Sequence, residues 1–290
     1  MTGHILARAA AVPAERLFAG LACSLEGDTD HRPPLVLLHG LTFDSTMWHP
    51  AVAELRKLDP RRRVVAVDLP GHGQSPAWPS YHFEGIADGV HRAVREARLH
   101  SPVVVGHSVG AVIATMYASR YPARGVVNVD QWLQAEPLAR LFQSLAGELR
   151  GQGFTAAWEM IEAGMQIGLL PEQAQELLWS ARSPRQDLVV GYLRELLDRP
   201  AAEFAENATA QLAALRTAEL PYLFVAGNQV GADYRSWLNR VLPQAIVTVW
   251  PASGHFPHLA HPRRFAECLA ATARWSHLPR RPRQVSGWTG

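Results

Sequence analysis

Ser108 stands in Gly106-His107-Ser108-Val109-Gly110, between the β-branched run 103–105 and a stretch of small and apolar residues, 111–118, that reads as a helix. Gly-x-Ser-x-Gly at a strand-to-helix junction predicts a sharp, strained turn. The flanking glycines remove side chains that would collide, and the serine hydroxyl is thrust out at the edge of a sheet. The helix that starts there aims backbone N–H groups at the same place, which makes the Val109 N–H a candidate oxyanion donor. The chemistry implied is nucleophilic attack on an acyl carbon. Such a hydroxyl needs a base that accepts its proton and later returns it, and imidazole suits the task because its pKa lies near neutrality. A histidine-bearing segment, Ser253-Gly254-His255-Phe256-Pro257-His258-Leu259, lies between the apolar run 246–250 and a helix expected to start near Pro262. His255, His258 and His261 recur at steps of three, but no carboxylate or thiolate cluster accompanies them, so no metal site is expected.

Six short apolar runs, 35–39, 64–68, 103–107, 126–130, 222–226 and 246–250, read as strands covered on both faces. Between or after them, helical spacing predicts helices over 47–58, 85–99, 110–121, 234–242 and 262–275. This alternation predicts an α/β fold, a mostly parallel sheet flanked by helices. The connection 131–220 breaks the rhythm. It carries five helical patterns, over 138–150, 155–165, 171–181, 186–197 and 201–215, punctuated by Pro and Gly. A structureless loop of that length is implausible in a compact domain. The segment is therefore expected to be an inserted helical cap or lid, with residues 1–130 and 221–290 forming the core. The last residues, 279–290, are expected to fray, and the N-terminus has no apolar run of signal-peptide length.

These motifs and their order resemble the α/β-hydrolase superfamily, in its serine-nucleophile, capped esterase- and lactonase-like branch, over roughly residues 33–130 and 218–275. Further matches are Leu38-His39-Gly40-Leu41 after the first buried strand and Asp68-Leu69-Pro70-Gly71-His72-Gly73-Gln74-Ser75 after the second. The resemblance implies Ser108 as nucleophile, His255 as general base and acid, and the Leu41 N–H as the second oxyanion donor. Asp68, His72 and Ser75 are expected to be structural. The acid of the triad departs from the common pattern, because Val230 stands where many relatives carry aspartate. Asp130, ending 126–130, matches a placement that other relatives use and is the favoured acid. Asp233 is the alternative, with a plainer reading as a helix N-cap. Branches of the fold that attack with aspartate do not fit a serine at 108.

Substrate contacts are expected from His39, Gly40, Phe43, Met47, Trp48, His107 and Trp132. Trp158, Met160, Met165 and Trp179 could complete an apolar chamber unless they serve helix packing. With 28 Lys+Arg against 26 Asp+Glu, the net charge of +2 offers no basic field for nucleic acid. Two cysteines, Cys23 and Cys268, argue no disulfide framework. The expected protein is a cytoplasmic, membrane-free monomer or homodimer that acts on a small molecule. It needs no cofactor and cleaves an ester, lactone or thioester of apolar character through an acyl-serine. A carbon–carbon bond hydrolase, an acyltransferase or a cyclase on the same fold is the alternative within enzymes. A ligand-binding or signalling protein with vestigial hydrolysis is the alternative outside them.

Overall fold

A computed structural model describes residues 15–277. The N-terminal stretch and the 279–290 end considered above lie outside the described residues. Eight strands form one sheet in the order β1-β2-β4-β3-β5-β6-β7-β8. They are β1 (Glu15–Phe18), β2 (Leu21–Glu26), β3 (Leu35–Leu38), β4 (Val64–Val67), β5 (Val103–His107), β6 (Gly125–Val129), β7 (Tyr222–Ala226) and β8 (Ala245–Val249). From β4 to β8 every pairing is parallel, whereas β1 and β2 are antiparallel additions at one edge. The core helices are α1 (His49–Leu58), α2 (Phe83–Glu96) and α3 (Val109–Arg120). Six more, α4 (Ala135–Ser144), α5 (Ala146–Arg150), α6 (Phe154–Gly164), α7 (Glu172–Ala181), α8 (Gln186–Asp198) and α9 (Ala201–Thr217), lie between β6 and β7. After β7 come α10 (Ala232–Val241), α11 (Pro257–Ala260) and α12 (Pro262–Ala271).

Side chains alternate across a strand, so each β-branched run feeds two cores. Val36, Leu38, Val65, Val67, Val104 and Val126 join one cluster with residues of α2, α3, α8 and α9. Their neighbours Leu35, Leu37, Val64, Ala66, Val103, Val105 and Val127 join the other with residues of α1 and α12. That is why these strands read as unbroken apolar runs. The register then sets the level of the strand ends. Leu38 pairs with Gly106, His107 with Val129, and Val129 with Val225, so the segments leaving β3, β5, β6 and β7 emerge side by side at the carboxyl edge, where open α/β sheets gather their ligand sites.

The β1–β2 hairpin went unread in the sequence. Its two-residue turn has Ala19 at φ 50° and Gly20 at φ 78°. Such turns usually announce themselves with Asn-Gly or Asp-Gly, and Ala-Gly does not. Between β6 and β7, the helix expected over 138–150 is interrupted at Leu145 and becomes α4 and α5. Both cysteines are free, Cys23 being buried and Cys268 partly exposed. Among the described residues, no helix is long and apolar enough to cross a membrane.

Candidate active site

Ser108 sits between β5 and α3 with φ 52° and ψ −124°, a left-handed backbone that costs energy for any residue with a Cβ. The strain is locked in by close backbone approach. A Cβ on Gly110 would lie 2.3 Å from the Leu38 carbonyl oxygen, and one on Gly106 would lie 2.2 Å from the Gly110 carbonyl oxygen. The Ser108 N–H donates to the Val129 carbonyl at 3.1 Å, tying the turn to β6. Val109 opens α3, and the first N–H groups of a helix lack intrahelical acceptors.

Across the strand ends, His255 donates from Nδ1 to Asp130 Oδ2 at 2.8 Å. The other carboxylate oxygen, Oδ1, accepts the Gly227 N–H at 2.8 Å. Gly227 must be glycine, because a Cβ there would fall 1.8 Å from the Gly254 carbonyl oxygen. Asp130 itself holds φ 54°, a conformation that Asp and Asn tolerate better than most residues. Asn128, fully buried on β6, fixes the segment that follows. Its Oδ1 accepts the Gln131 N–H at 2.9 Å, and its Nδ2 donates to the Gln131 carbonyl at 2.8 Å and to the Tyr222 hydroxyl at 3.0 Å. Sequence reasoning passed over Asn128, although an amide inside an otherwise apolar strand was the available signal.

The loop after β3 is set by histidines that stay neutral. The Leu69 N–H donates to His39 Nε2 at 2.8 Å, which leaves the His39 proton on Nδ1, 2.8 Å from the Gly40 carbonyl oxygen. A trans peptide points its C=O and N–H in opposite directions, so fixing the Gly40 carbonyl also fixes the Leu41 N–H. Burial pushes the His39 pKa below its ordinary value, which keeps the ring an acceptor at Nε2. His72 Nε2 accepts the Thr42 N–H at 3.1 Å. Asp68 takes the Ser45 N–H on Oδ1 and the Gln74 N–H on Oδ2, both at 2.8 Å. The Ser75 hydroxyl donates to the Asp68 carbonyl at 2.6 Å. This turn therefore braces the loop and stands off the site. His107 donates from Nε2 to the His255 carbonyl at 2.8 Å and stacks on Phe256 with centroids 4.9 Å apart.

One cavity of about 950 Å³ joins these groups. Gly40, Leu41, Phe43, His107, Ser108, Val109, Asp130, Trp132 and His255 line it, as do Trp158 and Met165. Several expected lining residues are placed elsewhere. Met47 and Trp48 are fully buried in the cluster beneath the opposite sheet face, Trp48 stacking on Phe265 at 6.0 Å, because the short 3-10 turn at Ser45–Trp48 directs them there. His39 is buried behind Gly40 and is absent from the lining. Met160 and Trp179 point to solvent, at 60% and 51% exposure. Asp233, the alternative acid, is exposed in the first turn of α10 and away from the cavity, and the N-cap of that helix is Gly231. His258 is buried against Trp48 and His261 lies edge-on to Trp250, so the steps of three do not converge. Among the described residues no group of three or more His, Cys, Asp or Glu could hold a metal ion.

Residues 35–268 match the model of the Alpha/beta hydrolase family. The chain belongs to that family. It is 30% identical over 255 residues to a pimeloyl-[acyl-carrier protein] methyl ester esterase of Chromobacterium violaceum, covering 82% of this chain and 93% of that one. An enzyme of the same name from Yersinia pseudotuberculosis is 28% identical over 269 residues, covering 84% and 93%. Among solved structures, a thermophilic esterase from Thermogutta terrifontis superposes with a TM-score of 0.67 at 22% identity, over 91% of this chain and 100% of that one. Haloalkane dehalogenase from Bradyrhizobium elkani gives 0.69 at 22% identity, over 91% and 97%. These structural likenesses are likenesses of fold. Family membership and the esterase relatives make this α/β-hydrolase chain a hydrolase.

Proposed function

We propose that this hydrolase cleaves carboxylic esters through an acyl-serine, with Ser108 as nucleophile, His255 as general base and acid, and Asp130 as the group that orients and stabilises the imidazole. The observation that carries this reading is the His255–Asp130 bond of 2.8 Å beside a strained serine on the wall of the same cavity. With Nδ1–H committed to Asp130, the Nε2 lone pair of His255 is the basic site available to take the Ser108 proton as Oγ attacks the carbonyl carbon. The oxyanion that forms is stabilised by the N–H groups of Leu41 and Val109. Collapse expels the alcohol, protonated by His255. Water activated by the same imidazole then releases the acid and restores the serine. The names of the relatives, methyl ester esterases, support an ester as the bond cleaved. In this reading the helices between β6 and β7 are the cap that covers the site, since residues of α4, α6, α8 and α9 supply much of the cavity wall.

The test is active-site labelling with a fluorophosphonate followed by peptide mass spectrometry, together with turnover of p-nitrophenyl butyrate. Stoichiometric labelling confined to Ser108, lost with its butyrate hydrolysis in Ser108→Ala, is the expected result. A folded wild-type protein that neither labels nor hydrolyses the ester overturns the reading.

A further inference from the structure

The cavity has a shape that the catalytic residues do not require. Beyond Ser108, the residues Val109, Val112, Thr115, Met116, Ser119 and Arg120 all line it, and they occupy one face of α3 from its first residue to its last. Across from them stand Phe204, Asn207, Ala208, Gln211 and Leu212, one face of α9. The chamber therefore runs along α3 and away from the nucleophile. Burial changes along its course. Val109 and Thr115 are buried, Val112, Met116 and Ser119 are partly open, and Arg120 is exposed. At that far end Glu84, Glu195, Arg199 and Asn207 complete a polar mouth, with Arg120 paired to Glu84 and Arg199 to Glu195. Apart from Thr115 and Gln211, the α3 and α9 residues between mouth and serine are apolar, and the rest of the lining includes Trp132 and Leu141, at 39% and 56% exposure. Apolar side chains that core packing leaves open around a cavity are surface that a ligand can cover.

Length and width follow from helix geometry. The 12 residues of α3, at a rise of 1.5 Å each, span about 18 Å. An extended chain advances about 1.1–1.2 Å per backbone bond, a third of the rise of an extended residue, so the chamber accommodates roughly 15 bonds. α3 and α9 also pack directly against each other over part of their length, so the chamber that both line is narrow. We propose that the α3–α9 chamber is a chain-length ruler and that the substrates are esters bearing a long unbranched apolar chain, which lies along α3 with its far end at the Arg120 mouth. This rests on the ester-hydrolase reading and adds the substrate class and the residues that set it, Met116 and Ala208 facing the middle of the run.

Two ester series separate the side of the bond that occupies the chamber: p-nitrophenyl esters lengthened on the acyl side from acetate to hexadecanoate, and acetates lengthened on the alcohol side over the same range. In one series, kcat/KM of the wild type is expected to climb with each methylene, by about twofold or more. It should peak at about fourteen to fifteen carbons, the length that the bond count above allows from Ser108 to the mouth, and then fall. Met116→Trp and Ala208→Trp, each blocking the slot midway, are expected to lower the ratio of dodecyl-chain to butyl-chain kcat/KM by at least about tenfold. A profile that declines beyond four carbons in both series overturns the ruler, and so does a ratio held within about twofold in both variants if they fold as judged by circular dichroism.

Binding of carboxylates from hexanoate to hexadecanoate to Ser108→Ala, followed by calorimetry, reads the chamber without turnover. Affinity peaking at the same length supports the ruler even if ester hydrolysis fails, whereas affinity independent of length overturns it. Ester hydrolysis dependent on Ser108 but indifferent to chain length leaves the hydrolase reading standing and the ruler refuted.

Discussion

Asp130 presents its carboxylate to His255 from a left-handed backbone position, while Asp233 faces solvent on α10. Asparagine tolerates the same backbone conformation as aspartate, so Asp130→Asn changes the charge and the tautomer preference of His255 and leaves the turn intact. Its kcat/KM on a p-nitrophenyl ester is expected to fall about a thousand- to ten-thousand-fold, with a melting temperature close to that of the wild type. Asp233→Asn should stay within about twofold, as exposed substitutions do. Equal losses in the two variants would remove Asp130 from its role. The sequence put both aspartates within reach of the site and left the choice to a resemblance, because only the register of β6 and β7 determines which carboxylate meets the imidazole. Side-chain direction was hidden in the same way. Phe43 and Trp48 follow one motif five residues apart and join the same buried cluster, yet Phe43 also reaches the cavity wall and Trp48 does not.

At the scale of elements, β6 does more than carry Asp130 at its end. Asn128 clamps both the N–H and the carbonyl of Gln131, and Tyr222 on β7 holds Asn128 in turn. Tyr234 of α10 adds a hydroxyl that accepts the Leu133 N–H at 3.0 Å. The exit from β6 is thus fixed at two points while the cavity wall is built from the helices that follow. Asn128→Leu fills the space but orphans the buried Gln131 groups, each costing about 1–3 kcal/mol. Urea denaturation should register a loss of roughly 2–6 kcal/mol, and kcat should fall more than KM changes, since the ester still enters the chamber while the carboxylate is no longer held. Unchanged kcat in a destabilised variant would reduce Asn128 to a structural role. Strands and helices were legible here because β-branched runs and apolar spacing are local signals. The clamp was not, because its partner Tyr222 lies 94 residues away.

For the molecule as a whole, the buried histidines tie stability to pH. Burial holds His39, His72 and His107 below the ordinary imidazole value and pushes His258 down to about 3. Each is neutral in the folded chain and takes up a proton once unfolded below about pH 6.5. Where the unfolded state binds more protons, stability rises with pH, so acidification from 6.5 toward the folded-state values favours unfolding. For His258 alone, going from pH 7 to pH 5 removes about 2 kcal/mol. His258 is also the histidine whose removal isolates the effect. Neither ring nitrogen has a hydrogen-bond partner among the described residues, and the ring packs on Trp48 at 4.7 Å and Phe265 at 5.8 Å. Phenylalanine therefore replaces it without orphaning a donor or acceptor. His258→Phe is expected to match or exceed wild-type stability at pH 7 and to lose about 2 kcal/mol less on going to pH 5, measured by urea unfolding at both values. Parallel losses in the two proteins would mean that His258 already exchanges its proton in the folded chain. The acid sensitivity would then belong to the histidines that hold the loop around Gly40.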